Sequence, residues 1–375
     1  MRILIPTHPG DPHATEVALA LQERGHEAVR WFGSDFPTLQ SASIELRQGR
    51  FHWDVQGPDL AGCEPPFDIV WMRRPTPAVL PEGLHPGDVP VARRECQEFL
   101  GGLYPLAAPE AFWVNPLESH PRAEFKAVQL QEALRAGLVI PPTLMSNDPA
   151  RIRQFLTEHR GRAVYKPFYI TQWEREDRVA LLLTSDVSVE ELPSDELLRL
   201  TPGIFQERIP KAHELRVTIM GSHVVTARLH SQELEAARVD WRAAGGHLRI
   251  EPARLPESVE AACLRLMGRL GIVFGCFDFI VTPEGEHVFL EVNPAGQFLW
   301  VEELDPDIRL LAPFVEFLLS RRPDFRWRPE PGAIRHRDFF PRACEQLSAE
   351  HPRHVPPAQV FVSSDEEDAA EASHG

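Results

Sequence analysis

The sequence predicts an α/β fold whose later part passes into α+β order, and three observations carry that prediction. The chain opens as strand, loop, helix and strand, with an apolar run at 3–5, a helix over 14–24 stopped by Gly25, and a second apolar run at 28–32. Long segments with helical spacing of apolar residues, at 89–104, 122–136, 256–270 and 307–319, alternate with short β-rich runs. Residues 205–229 and 277–293 each read as consecutive strands joined by tight turns, the pattern of antiparallel pairing. With 375 residues, 43% of them apolar, the chain can build two or three domains around sizeable cores.

Charge and cysteine usage narrow the class. Lys and Arg number 39 against 55 Asp and Glu, a formal net charge of −16, which argues against nucleic acid as a partner. Positive charge must be local wherever phosphate binds. Cys63, Cys96, Cys263, Cys276 and Cys344 show no C-x-x-C spacing, so neither a zinc site nor a disulfide framework is expected. The opening apolar run stops at Pro6 and no run approaches a membrane span, so the expectation is a cytoplasmic protein without a membrane partner.

The opening is Rossmann-like, but Thr7-His8-Pro9-Gly10-Asp11 lacks the G-x-G-x-x-G phosphate loop and reads as scaffold. Residues 43–47 and 51–55 flank Gln48-Gly49 as a hairpin. The strand at 67–72 ends in Arg73-Arg74-Pro75, two cations that either meet a substrate or solvate a strand end. After the helix at 89–104 and a short strand at 111–114, Asn115-Pro116 closes a first domain, 1–116. Lys126 falls inside the helix at 122–136. Lys166 lies in the strand at 163–167, and a lysine in so apolar a strand asks for an anionic partner.

Residues 205–210 lead through 214–220 into 224–229, again strand and hairpin. Arg216 and Arg228 alternate with apolar neighbours, and pairing 217 with 227 would set the two arginines opposite each other, tolerable with an anion between them. The stretch 235–247 is irregular. Its Trp241 and Arg242, followed by Gly245-Gly246, form either a recognition lid or a surface turn.

The last hairpin joins 277–281 to 288–293 through Pro283-Glu284-Gly285-Glu286. If Thr282 faces His287, then Asp278 faces Glu291, and facing carboxylates repel unless a cation lies between them. Asn293 points to the same face as Glu291. An all-oxygen, partly filled site suits Mg²⁺ completed by substrate phosphates. Without metal, neutralising either acid is expected to relieve repulsion. From Pro329 onward prolines recur and 363–375 is acidic, giving a tail over 329–375 whose end is expected to be disordered.

Taken in order, Lys126, Lys166, Gln206-Glu207, Arg216, Arg228, Asp278, Glu291 and Asn293 resemble the residue set of an ATP-grasp ligase. Within that superfamily the chain is similar to the microviridin-type peptide macrocyclases, or graspetide synthetases. The segments that carry this are Trp71-Met72-Arg73-Arg74-Pro75, Lys211 through Glu214-Leu215-Arg216-Val217, Arg228-Leu229-His230-Ser231, and Glu291-Val292-Asn293-Pro294 with Gly296-Gln297-Phe298-Leu299-Trp300. The resemblance extends from residue 1 to about 325. It implies an N-terminal Rossmann-like pre-ATP-grasp domain (1–116), a central ATP-grasp subdomain (117–204) and a C-terminal one with the metal site (205–328).

The same resemblance implies ATP and two Mg²⁺ ions as cofactors. Lys126 and Lys166 would meet the phosphates, Gln206, Glu207 and the Arg208-Ile209 backbone the adenine, and Glu214 the ribose. Asp278, Glu291 and Asn293 would hold metal, while Arg216 and Arg228 would hold the transferring phosphoryl group and the acyl intermediate. His230 is either a proton acceptor or a hydrogen-bonded strand residue, and Arg73, Arg74, Lys211, Trp241 and Arg242 would contact substrate. The implied partner is a precursor peptide with a leader, cross-linked through side-chain esters or amides by an enzyme that the family suggests is a homodimer. One departure is the absence of glycine between Lys166 and Ser185, where many ATP-grasp enzymes carry a Gly-rich phosphate loop. Two other readings remain at this stage: the same chemistry on a small amino acid or protein tail, as in glutamate-adding or glutathione-type ligases, or a nucleotide-binding scaffold without catalysis. Facing acids argue against the scaffold, because fold maintenance does not need them.

Overall fold

A computed structural model describes residues 1–58, 61–62, 66–168, 172–175, 178–181 and 183–357; Cys63 and the acidic end at 363–375 lie outside them. Strand β1 (Arg2–Thr7), helix α1 (Pro12–Glu23) and β2 (Glu27–Phe32) form a parallel βαβ unit. Asp11 starts α1 by accepting from Ala14 N at 3.2 Å, with proline at the first helical position. β3 (Ser41–Arg47) and β4 (Arg50–Gln56) pair in the expected hairpin, and β5 (Ala61–Gly62) adds to its edge. β6 (Ile69–Trp71), α2 (Val89–Ala107) and β7 (Phe112–Val114) complete the unit, whose parallel sheet has the order β2-β1-β6-β7.

Next come α3 (His120–Glu124), α4 (Lys126–Ala136), β8 (Thr143–Ser146), α5 (Pro149–Glu158) and β9 (Ala163–Lys166). A hairpin of β10 (Gln172–Arg175) and β11 (Arg178–Leu181) follows Lys166, and β12 (Ser185–Val187), α6 (Asp195–Leu200) and β13 (Gly203–Glu207) close the segment. Its antiparallel sheet runs β12-β9-β13-β8. The single helix expected over 122–136 breaks at Phe125, which is extended (φ −68°, ψ 108°), so Lys126 opens α4 instead of lying inside a helix. Gln129 stabilises the break by donating to Ala123 O at 2.6 Å.

The last segment holds β14 (His213–Met220), β15 (His223–Leu229), β16 (Ile250–Ala253), α7 (Glu257–Leu270), β17 (Phe274–Val281) and β18 (His287–Asn293). Their five-stranded sheet has the order β16-β15-β14-β17-β18. Alternation sorts its two faces. Leu215, Val217, Ile219, Phe277 and Phe279 form a core with Leu130 and Ala133 of α4 and Leu266 and Leu270 of α7. On the other face Met220, Phe274 and Cys276 join Trp71, Phe298 and Phe314 in a core shared with the first unit, leaving the rest of that face for polar groups.

Three helices end the described chain: α8 (Leu299–Leu304), α9 (Leu311–Ser320) and α10 (His336–Glu350). The helix expected from 307 begins only at Leu311, where the buried Glu302 carboxylate accepts from Leu310 N and Leu311 N at 2.7 and 2.8 Å. Within the Pro-rich stretch from 329, residues 336–350 form α10, which packs on α1 and buries His336, Phe339 and Ala343. Buried pairing supplies what the polar sequence hides: His336 meets Glu16 at 2.9 Å, His354 meets Asp35 at 2.8 Å, and Arg30 pairs with Glu350.

Candidate active site

The β17–β18 hairpin sets Asp278 opposite Glu291, as expected. That register holds from Cys276 to Asp278 and slips by one residue at Phe279, so Val281, not Thr282, faces His287. The slip is a bulge, and Thr282 Oγ1 instead accepts from Glu286 N at 3.2 Å within the turn. On the other side of β17, Arg216 of β14 faces Asp278. Its Nη1 donates to both carboxylate oxygens at 2.9 and 3.1 Å, and its Nη2 donates to Gln297 O at 2.6 Å. Gly296 permits this approach, since a Cβ there would lie 2.8 Å from Cys276 Cβ and 3.1 Å from Arg216 Nη2. Lys126 Nζ donates to Glu291 Oε2. Each facing acid therefore has its own cation.

Two residues without a sequence signal hold this hairpin. Asn115, fully buried, donates to Phe274 O and Pro294 O at 2.9 Å and accepts from Val273 N and Phe274 N at 2.8 Å. Gln129 donates to Val292 O at 2.7 Å and accepts from Val292 N at 3.1 Å. In the sequence Asn115 marks only a strand end and Gln129 only a helix position. Their partners are far along the chain, where local patterns carry no information.

Burial pushes the Asp278 carboxyl up, with Arg216 opposing and Glu291 adding to the shift. Glu291 is held well below the usual carboxylate range, first by Lys126 and against its burial. Lys166 falls to about 8 through burial, with Glu291 opposing and Arg242 adding. No hydrogen bond or ion pair among the described residues engages its ammonium group. Arg242 is clamped by Asp240, with Nε–Oδ1 at 2.8 Å and Nη2–Oδ2 at 2.7 Å, and Asp240 also accepts from Thr184 N at 3.3 Å. Trp241 stacks on Trp300 at 4.9 Å. The loop read as lid or turn is thus tied to α8 through Trp300, to Thr184 and to Lys211, and it brings Arg242 into the field of Glu291 and Asp278.

At the strand end after β13, Gln206 donates to Thr143 Oγ1 at 3.0 Å while its Oε1 is buried without a partner. Glu207 lies 3.6 Å from His159 Nδ1. Arg208 N donates to Arg162 O at 3.0 Å, which leaves its carbonyl for the expected adenine contact; Ile209 N has no acceptor among the described residues. Lys211 bridges Glu214 at 3.0 Å and Val239 O at 2.8 Å. Burial raises the Glu214 carboxyl, with Lys211 opposing. Asn293 Oδ1 accepts from Ala295 N at 3.0 Å.

Two expectations need correction, for Arg228 and Arg73, and the choice left open for His230 narrows. Arg216 faces Ala227, and Arg228 faces Leu215, so the arginines are offset by one residue and Arg228 projects from the opposite face of the sheet. There it donates to Glu251 at 2.9 Å. His230 goes with it, its Nε2 3.4 Å from Glu251 and its Nδ1 2.7 Å from Arg249 Nη2, which favours the hydrogen-bonded reading over the proton acceptor. Arg73 is fully buried between Asp11 at 3.2 Å and Ala295 O at 2.5 Å, so it ties the first unit to the loop after β18. Arg74 remains half-buried beside it.

The cluster of two carboxylates and an amide oxygen fits a magnesium site that ligand phosphates would complete. No group of three or more His, Cys, Asp or Glu forms a metal cage among the described residues. None of their helices is long and apolar enough to cross a membrane.

No family model matches the chain, and no curated protein matches it in sequence. Solved structures do. A RiPP-associated ATP-grasp ligase of Chryseobacterium gregarium, solved with ADP and a leader and core peptide, superposes with a TM-score of 0.78 at 27% identity, over 87% of this chain and 99% of that one. The similarity places the fold in the ATP-grasp class. Two macrocyclases of Microcystis aeruginosa MRC extend it: MdnC, bound with precursor peptide MdnA, at 30% identity over 85% of this chain and 100% of its own (TM-score 0.74), and MdnB at 31% over 85% and 99% (TM-score 0.72). At that identity over that length, the chain belongs to the graspetide-type ATP-grasp ligases.

Proposed function

We infer that this enzyme activates carboxylates of a ribosomally made precursor peptide with ATP and joins them to side-chain hydroxyls or amines of the same peptide. The observation that carries the reading is a half-buried Lys166 with no hydrogen-bond or ion-pair partner among the described residues, in the field of Glu291, which with Asp278 forms a facing acid pair held by Lys126 and Arg216. Such a group gains a partner when triphosphate enters. Lys126 and Lys166 hold phosphate oxygens, while Glu207 and Ile209 N take the adenine edge beside Gln206. Glu214, oriented by Lys211, takes ribose hydroxyls. Asp278, Glu291 and Asn293 hold Mg²⁺, which when bound neutralises phosphate charge.

A carboxylate resists attack because its oxygen leaves poorly. Attack of a peptide carboxylate oxygen on the γ-phosphorus expels ADP and leaves an acyl phosphate. The acceptor hydroxyl or amine then adds to that carbonyl, gives up a proton and expels phosphate, so each crosslink removes one water from the peptide. Arg216 and Arg242 lie where negative charge develops in both steps and stabilise it. Trp241 stacked on Trp300, with Arg74, forms the peptide side of the site. Free Cys96, Cys263, Cys276 and Cys344 fit work in a reducing, ATP-supplied cytoplasm.

The test incubates the enzyme with ATP, Mg²⁺ and an acid-rich candidate precursor carrying Ser, Thr or Lys, followed by mass spectrometry. Successive losses of water with matching phosphate release support the reading. ATP-dependent modification of free glutamate or another small amino acid, with the peptide untouched, would overturn it.

A further inference from the structure

We propose that the sheet face opposite the chemistry carries a second, cationic groove that grips an acidic stretch of the peptide substrate. A cavity of about 450 Å³ opens there beside the β17–β18 turn. Leu215, Leu255 and Val281 form its apolar floor, and Arg228, Arg254, His213 and His287 its rim. The register that removes Arg228 from the active face is what brings it here, since Arg228 faces Leu215 and His213 faces Val281.

Charge at the groove is out of balance. Glu251 is shared by Arg228 at 2.9 Å, His230 at 3.4 Å and Arg249 at 3.7 Å, and Glu233 also meets His230 at 3.4 Å and Arg249. Arg228 Nε is buried without a hydrogen-bond partner. Arg254 is exposed and has no ion-pair partner among the described residues. The His213 ring is pushed down by burial and then by Arg228, His230 and His287, with Glu251 opposing. In a chain of net charge −16, a patch in which Arg228, Arg249 and Arg254 outnumber Glu233 and Glu251 over an apolar floor is built against the general field, and an anionic partner relieves it.

The occupant follows from the ligase reading, on which this inference rests. A peptide that supplies a carboxylate for each crosslink carries several, and only one reacts at a time. Holding the waiting acids on the far face keeps the peptide bound between rounds and raises its local concentration at the active site.

The experiment titrates fluorescein-labelled hexaglutamate into the full-length enzyme at low and high salt. Saturable binding that weakens with salt, drops at least tenfold in the Arg228→Ala/Arg254→Ala double variant and is not matched by hexalysine is expected. Arg254→Glu, an exposed change that leaves packing alone, should weaken binding in the same direction. With a precursor that wild type cross-links, both variants should raise KM and leave kcat and ADP affinity unchanged. Wild-type affinity for hexaglutamate in both variants overturns the groove. So does displacement by inorganic phosphate at equal concentration, which marks a small-anion site. Tighter binding after removal of residues 358–375 makes the chain's own acidic end the occupant and also overturns it. If the variants lose hexaglutamate while wild type cross-links no precursor, the ligase reading fails and the groove does not; cross-linking with unchanged KM in the variants is the opposite outcome.

Discussion

Facing acids in a strand pair are tolerated here by unequal means, and the inequality is measurable. The Arg216 and Asp278 side chains are 6% and 13% exposed, whereas Lys126 and Glu291 are both 26% exposed. Asp278→Ala leaves a buried guanidinium with Gln297 O as its remaining acceptor and should cost about 3 kcal/mol. Glu291→Gln, at the better solvated pair, should cost about 1 kcal/mol or less. Urea denaturation distinguishes these; a gain in stability would restore the sequence-based expectation that losing either acid relieves repulsion. A second residue-scale test separates the arginines. Arg216→Ala should lower kcat by roughly a hundredfold, the scale of losing one oxyanion donor, while Arg228→Ala leaves kcat within a few-fold. Equal losses in kcat would return Arg228 to the reacting face. The acid pair was reached through two departures that cancel: the turn pairs Val281, not Thr282, with His287, and the one-residue slip at Phe279 brings Asp278 back opposite Glu291. Arg228 was not legible, although Gly221-Ser222 offered a clue: a two-residue loop pairs Met220 with His223 and fixes the offset, and one residue of register exchanges the faces.

Among the elements, those with a clear apolar period were readable, and those held by buried polar groups were not. The helix over 257–270 shows its core stripe in sequence and ends where expected, at Gly271 in the left-handed region. The final helix, α10, is masked by Pro329, Pro331 and Pro341 and by buried residues that include a histidine. The β17–β18 hairpin itself depends on a residue outside any strand. Asn115 satisfies two carbonyls and two N–H groups at the start of β17 and the end of β18, and all four lose their partner in Asn115→Ala. A loss of about 3 kcal/mol is expected from leaving buried backbone groups unmade, together with weaker ADP binding as Asp278 and Glu291 lose their alignment. Calorimetric melting and ADP titration on the same variant check both. Reduced stability with unchanged ADP affinity would show that the hairpin keeps its geometry without this tie.

Across the whole molecule, the chain ends by returning to its beginning. Residues 326–375 are 50 of the 375. Their helix is held on α1 by Glu16 and His336, both almost fully buried, with Glu302, Glu303, Arg309 and Arg335 around them. Burial raises Glu16 to about 7, with His336 opposing, and the Glu16 hydrogen bond raises His336 above its usual value despite burial. The signs agree. His336 contributes stability that is fully present below its unfolded pKa of 6.5 and lost as pH rises through its higher folded value. Glu16 adds a cost that is absent below 4.5 and complete above about 7, because the folded state holds the proton longer. Stability should therefore decline as pH rises from about 5 to 8, a direction opposite to that set by ordinary paired carboxylates. The Glu16→Gln/His336→Gln variant removes both titrations and keeps an amide pair of similar size. Chemical denaturation across that pH range should give a steeper decline for wild type than for the double variant. Identical slopes would mean that this buried pair does not exchange its proton on unfolding, and that α10 is fastened by Arg30–Glu350 and Asp35–His354 instead.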